Sequence, residues 1–144
     1  MESHELEFGL VVLDTSVLFA ALDRKQQHHH AVLSALRPHA GAFVVPVAIL
    51  AEMSHFIERD LGPVAVSAFA RDIERGAYEL DCGLDDWSRI RALVERYANL
   101  RLGVADAAVI ACAERRQAPV ATLDIRHFGT VAREGSIEIL SLDA

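Results

Sequence analysis

The chain has 144 residues, 52% of them apolar and 24% charged, a balance that excludes intrinsic disorder and fits one globular domain with a sizeable core. Its net charge of −7 argues against a partner held by long-range attraction to a polyanion. Two cysteines, Cys82 and Cys112, exclude a disulfide framework and a zinc site, and the acidic start "MESHELEFG" excludes a signal peptide.

Taken in chain order, residues 1–8 read as a flexible extension of a single domain spanning 1–144. The stretch "GLVVLDTSVLFAAL" then predicts a buried strand over 10–13 that stops at Asp14-Thr15-Ser16 before a helix begins. The polar run "DRKQQ" leads into His28-His29-His30, read as an exposed helix start. A second strand is predicted over 43–45, followed by amphipathic helices over 47–60 and 64–75 and a strand over 77–80. Helices over 86–99 and 104–117 and strands over 120–123 and 137–140 complete the pattern. The longest charge-free segment, 40–51, is too short to span a bilayer, so a cytoplasmic protein with no membrane partner is expected. Cys112 lies in the apolar run "AAVIACA" and reads as a small core residue. Aliphatic strands alternating with helices indicate a mainly parallel α/β sheet covered on both faces.

Such sheets bind ligands beyond the carboxyl ends of their strands, where Asp14 and Asp124 fall. Glu52 sits at the border of an apolar stripe made by Ile49, Met53, Phe56 and Ile57. Asp106 is the only early charge in "GVADAAVIACAERRQ", and a buried unpaired carboxylate is costly enough to require a partner. Each acid also has an ordinary reading. Asp14 could open a helix capped by Thr15 or Ser16, Glu52 could be solvated, Asp106 could cap its own helix, and Asp124 could be a turn residue. The joint pattern is the stronger signal. Two unit charges ~5 Å apart at an effective dielectric of ~20 repel by about 3 kcal/mol, so four converging acids must bind protons or cations. With no Cys or His cluster beside them, hard divalent ions, Mg²⁺ or Mn²⁺, are the natural fit.

Other phosphate chemistries fit less well. A receiver-type or aspartyl-phosphate site would use a lysine, and the only lysine is Lys25, in a polar segment before the second strand. A haloacid-dehalogenase-like site would place a second acid where Ser16 stands. No phosphate-cradling glycine loop and no nucleophile elbow occurs.

In this order, "VVLDTSVL", "VPVAILAEM" and "LRLGVADAAVIACAERRQAPVATLDIRHF" resemble the PIN-domain family, specifically the VapC-type toxins of bacterial toxin–antitoxin pairs. The likeness runs from about Val11 to Leu140. It implies a PIN-like three-layer α/β/α sandwich with an about five-stranded, mainly parallel sheet. It also implies a Mg²⁺- or Mn²⁺-dependent ribonuclease acting on RNA, inhibited by a cognate VapB-type antitoxin and commonly homodimeric. Asp14, Glu52, Asp106 and Asp124 match the four acids of the family. Metal ligation then falls to Asp14, Asp106 and Asp124, with Glu52 completing the ligand set or orienting water. Thr15, Ser16 and Thr122 match hydroxyl positions and would orient the acids through hydrogen bonds. His127 departs from the pattern, because many relatives carry an acid before the phenylalanine.

Two alternatives stand beside the toxin reading: a housekeeping PIN nuclease in RNA processing, and a non-catalytic PIN module that binds RNA or a protein. The arginines Arg71, Arg75, Arg89, Arg91, Arg96 and Arg101 either track an RNA backbone or form solvated faces paired with Asp72, Glu74, Asp85, Asp86 and Glu95. The helices "VAILAEMSHFI" and "VAVSAFA" either offer an antitoxin groove or pack into the core or a dimer interface.

Overall fold

The protein is described by a computed structural model over residues 9–142; the expected extension at 1–8 lies outside the described residues. Among these residues four strands, β1 (Val11–Leu13), β2 (Phe43–Pro46), β3 (Glu79–Asp81) and β4 (Val120–Ala121), form one sheet in the order β3-β2-β1-β4. Every pairing is parallel, with Val12 opposite Val44 on one side and Val120 on the other. Among the described residues, seven α-helices connect and cover them: α1 (Thr15–Leu22), α2 (His29–Leu36), α3 (Leu50–Leu61), α4 (Pro63–Glu74), α5 (Trp87–Arg96), α6 (Val104–Arg116) and α7 (Ile125–Arg133). The result is the three-layer α/β/α arrangement expected from the alternation of elements. Among the described residues, no helix is long and apolar enough to cross a membrane.

Helix α6 explains much of the packing. Every residue from Ala107 to Ala113 is buried, and a helix apolar on all sides has to lie inside the molecule. Its alanines let it approach the sheet closely, where it touches β1, β2 and β4, while α5 packs on its other side. Adjacent strand residues Val11 and Val12, and Val44 and Val45, are all fully buried, so both faces of the sheet are covered. Burial also pushes the Cys112 thiol on this helix up to about 12, so it behaves as a core side chain.

Three details differ from the sequence expectation. The segment expected as a fifth strand makes a single parallel bridge, Ile139 to Val120, held by the Val120 amide donating to Glu138 O and the Leu140 amide to Val120 O, both at 2.9 Å. Its partner β4 has only two residues, because the chain beyond Ala121 turns away to bring Thr122 and Asp124 to the sheet edge. Helix α7 was not anticipated; Gly129, Thr130 and Val131 are weak helix formers in its middle. His29 is buried, with Nδ1 2.7 Å from the Ala20 carbonyl, and only His28 and His30 of that trio are exposed.

Candidate metal centre

Because all four strands run the same way, their carboxyl ends share one edge of the sheet. Asp14 leaves β1 there and is itself the N-cap of α1, a role the sequence had offered to Thr15 or Ser16. Its Oδ1 accepts hydrogen bonds from the Ser16 hydroxyl at 2.7 Å and the Val17 amide at 3.1 Å. Its Oδ2 accepts one, from the Thr122 hydroxyl at 2.5 Å. A carboxylate oxygen has two lone pairs, so Oδ2 keeps one for a further partner. The same hydroxyls tie β1 to the chain beyond β4: Ser16 Oγ accepts from the Leu123 amide at 3.0 Å, and Thr122 Oγ1 from the Asp124 amide at 2.9 Å. Burial pushes the Asp14 carboxyl up to about 6, against the three hydrogen bonds that pull it down and with a smaller upward push from Asp106.

Asp106 stands in the first turn of α6 but does not cap it; Gly103 is the N-cap, with no side-chain bond. Its pKa is raised, first by burial and then by the charges of Asp124 and Glu52, while His127 pulls it down. Asp124 caps α7, its Oδ1 accepting from the His127 amide at 3.1 Å. Its Oδ2 lies 2.7 Å from His127 Nδ1. Glu52, exposed in the first turn of α3, is near enough to act on Asp106. Thr15 is half-buried, and among the described residues its hydroxyl bonds to none of the acids.

The fold therefore brings Asp106 and Asp124 together, seats Asp14 beside them through Thr122, and leaves Glu52 at the rim. The sequence marks His127 only as a departure from the family's pattern. The structure places it inside: Nδ1 is 3.6 Å from Asp106 Oδ2, Nε2 is 2.8 Å from the Leu100 carbonyl, and bonding to Asp124 first of all raises its pKa. Its spacing of three residues from Asp124, one helical turn, was the available signal. Donor atoms of Asp106, Asp124 and His127 all lie within 4.8 Å of one another. Donors sharing an ion at ~2.1 Å lie about 3.0–4.2 Å apart, so the set fits a divalent cation after small side-chain shifts.

Two of the six arginines, Arg89 and Arg96, take partners other than those expected. Arg89 pairs with Glu114 through two bonds of 2.7 and 2.8 Å, and Arg96 with Glu134 at 2.6 Å, an acid that also accepts from the Tyr97 hydroxyl. At the far end of α6, Arg115 binds Asp86 at 2.9 and 3.0 Å and Asp81 at 2.5 Å. Arg116 binds Asp81 at 3.1 Å and Glu79 at 2.7 Å.

A parallel sheet with acids gathered at its carboxyl edge is the architecture of a PIN domain, and the PIN domain family matches residues 11–134; the chain belongs to that family. Within it, the resemblance to VapC ribonucleases is specific. The chain is 34% identical over 123 residues to Ribonuclease VapC26 of Mycobacterium tuberculosis, covering 84% of this chain and 91% of that protein. Among solved structures, the fold matches Mycobacterium tuberculosis VapC20, a toxin that cleaves the sarcin-ricin loop, with a TM-score of 0.75 at 16% identity over 91% of this chain and 99% of the other. It also matches a DNA-bound VapBC from Salmonella typhimurium, with a TM-score of 0.66 at 21% identity over 92% and 97% of the two chains.

Proposed function

We propose that the protein is a Mg²⁺- or Mn²⁺-dependent endoribonuclease that hydrolyses RNA phosphodiester bonds as the toxin of a VapBC-type pair. A VapB-type antitoxin holds it inactive, the active form is a homodimer of single-domain chains, and it acts in the cytoplasm. The observation that carries the reading is the gathering of Asp14, Glu52, Asp106 and Asp124 at one sheet edge with no arginine or lysine paired to them among the described residues. Likeness to a VapC ribonuclease and to VapBC assemblies supports the choice of RNA and of an antitoxin.

In this mechanism, Asp14, Asp106 and Asp124 hold the ion. When bound, it supplies Lewis-acid stabilisation of the phosphate charge and acidifies the attacking water. Ser16 and Thr122 fix the Asp14 carboxylate from both oxygens, so its orientation does not have to be found during the reaction. Glu52, exposed at the rim, orients the water and accepts its proton. Single-turnover cleavage of a labelled total-RNA pool tests the reading. Cleavage abolished by EDTA and by Asp14→Asn or Asp106→Asn is the expected result; cleavage indifferent to both overturns it. Co-expression with the product of the neighbouring gene tests the antitoxin, the expected result being relief of growth arrest.

A further inference from the structure

His127 occupies a position in the acid cluster that the four-acid reading does not explain. Nε2 faces the Leu100 carbonyl at 2.8 Å, and a carbonyl only accepts, so Nε2 carries a hydrogen. In the neutral ring the lone pair therefore belongs to Nδ1. That atom is aimed at Asp124 Oδ2, 2.7 Å away, and at Asp106 Oδ2, 3.6 Å away. With Nε2–H fixed on the carbonyl, Nδ1 either carries a second proton and donates it to Asp124 Oδ2, or turns a lone pair toward the point that Asp106 Oδ2 and Asp124 Oδ2 also face, where an ion can take that proton's place. A backbone carbonyl holding the opposite ring N–H is also the usual way in which a metal-ligating histidine is oriented.

The carbonyl is itself held in place. It ends the short turn Ala98–Leu100, after which Arg101 adopts a left-handed conformation, φ 54°, that a non-glycine side chain disfavours. Leu102, 2% exposed, anchors the far side of this turn in the core just before α6. A bland alternative is that His127 merely reaches back to the helix cap, as a side chain in the third position of a helix often does. That accounts for the contact with Asp124. It accounts neither for the Leu100 anchor nor for the approach to Asp106.

We propose that His127 Nδ1 is a direct ligand of the ion held by Asp106 and Asp124, and that this nitrogen tilts the site toward Mn²⁺ over Mg²⁺. The inference rests on the metal-dependent reading above. Mg²⁺ favours oxygen donors in a strict octahedron, whereas imidazole nitrogen is accepted more readily by first-row transition ions.

The full-length protein loaded with Mn²⁺ should show imidazole ¹⁴N coupling in electron spin-echo envelope modulation, lost in His127→Ala and in His127→Asp. Calorimetric titration with Mn²⁺ and with Mg²⁺ should give a preference for Mn²⁺ that falls about tenfold in His127→Asp, the scale typical of altering a metal site's histidine environment. Stoichiometric Mn²⁺ binding without nitrogen coupling in the unaltered protein would overturn this inference and leave the metal centre standing, with His127 acting as a fixed cation. Coupling that persists in His127→Asp but disappears in a His28→Ala, His30→Ala double variant would assign the ion to the exposed histidines and also overturn it. Failure of the unaltered protein to bind any Mn²⁺ would overturn this inference and the metal-dependent reading together.

Discussion

The two ends of helix α6 use the same residue types to opposite effect. At the carboxyl-terminal end, Arg115 and Arg116 meet Asp81, Asp86 and Glu79, and every acid has a guanidinium partner. Burial pushes the Asp81 carboxyl up, but the two arginines together outweigh it and hold it below the usual carboxylate range. At the amino-terminal end, Asp106 shares its surroundings with Asp14, Asp124 and Glu52, and among the described residues His127 is the one side chain bonded to them that can carry a positive charge. There burial wins, and the carboxyls of Asp14 and Asp106 are raised. A compensated cluster loses stability when one partner is removed, whereas an uncompensated one is a candidate site for a cation.

The comparison breaks most readily at the acids. Asp14→Asn and Asp106→Asn should each lower single-turnover RNA cleavage at least about a thousandfold, roughly 4 kcal/mol of transition-state stabilisation, while Arg115→Ala cleaves at a rate close to the unaltered protein. The side-chain carbonyl introduced by Asp14→Asn would still accept the Val17 amide, so that variant should fold. In urea denaturation the order reverses: Arg115→Ala leaves Asp81 and Asp86 buried without their main partner and should cost about 3 kcal/mol. Equal destabilisation by Asp106→Asn would erase the distinction between the two ends.

Stability of the metal-free protein against pH should separate them next. The folded-state pKa of Asp14 lies above its ordinary 3.8, at about 6, so the fold binds that proton more tightly than the unfolded chain does. Stability present below the ordinary value is lost as pH rises through about 6, by up to about 2–3 kcal/mol, and Asp14→Asn should flatten this slope. Asp81 has the opposite sign. Its lowered pKa contributes stability above 3.8 that is lost as pH falls further, and Arg115→Ala should weaken that acid limb. The smallest effect belongs to Arg89→Ala. Its pair with Glu114 is half-exposed, and urea denaturation should register about 0.5–1 kcal/mol.

Much of the architecture was legible in the sequence because it depends on periodicity. Aliphatic runs alternating with amphipathic stretches indicated the parallel sheet, and that in turn put the residues after β1 and β4 on one edge. The oddity of a lone charge in an alanine-rich helix singled out Asp106. What escaped depends on neighbours distant in the chain. Arg89 and Glu114 are 25 positions apart, Arg96 and Glu134 are 38, and no local pattern pairs them. His127 was visible only as a departure at one position, since its meaning comes from Leu100, 27 residues earlier. Helix α7 was hidden by weak helix formers, whose propensity is overridden by the Asp124 cap and by burial of Phe128 and Val131.

Helix α6 also has a dynamic consequence. Its thirteen residues form a rod about 20 Å long, sunk in the core through its middle and clamped by ion pairs at one end. A segment so enclosed has no inexpensive local opening, so the amides of residues 107–113 should exchange with deuterium only when the whole molecule unfolds. Asp106 stands one residue before this enclosed segment, so its position relative to β1 should persist through any motion of the exposed helices around it.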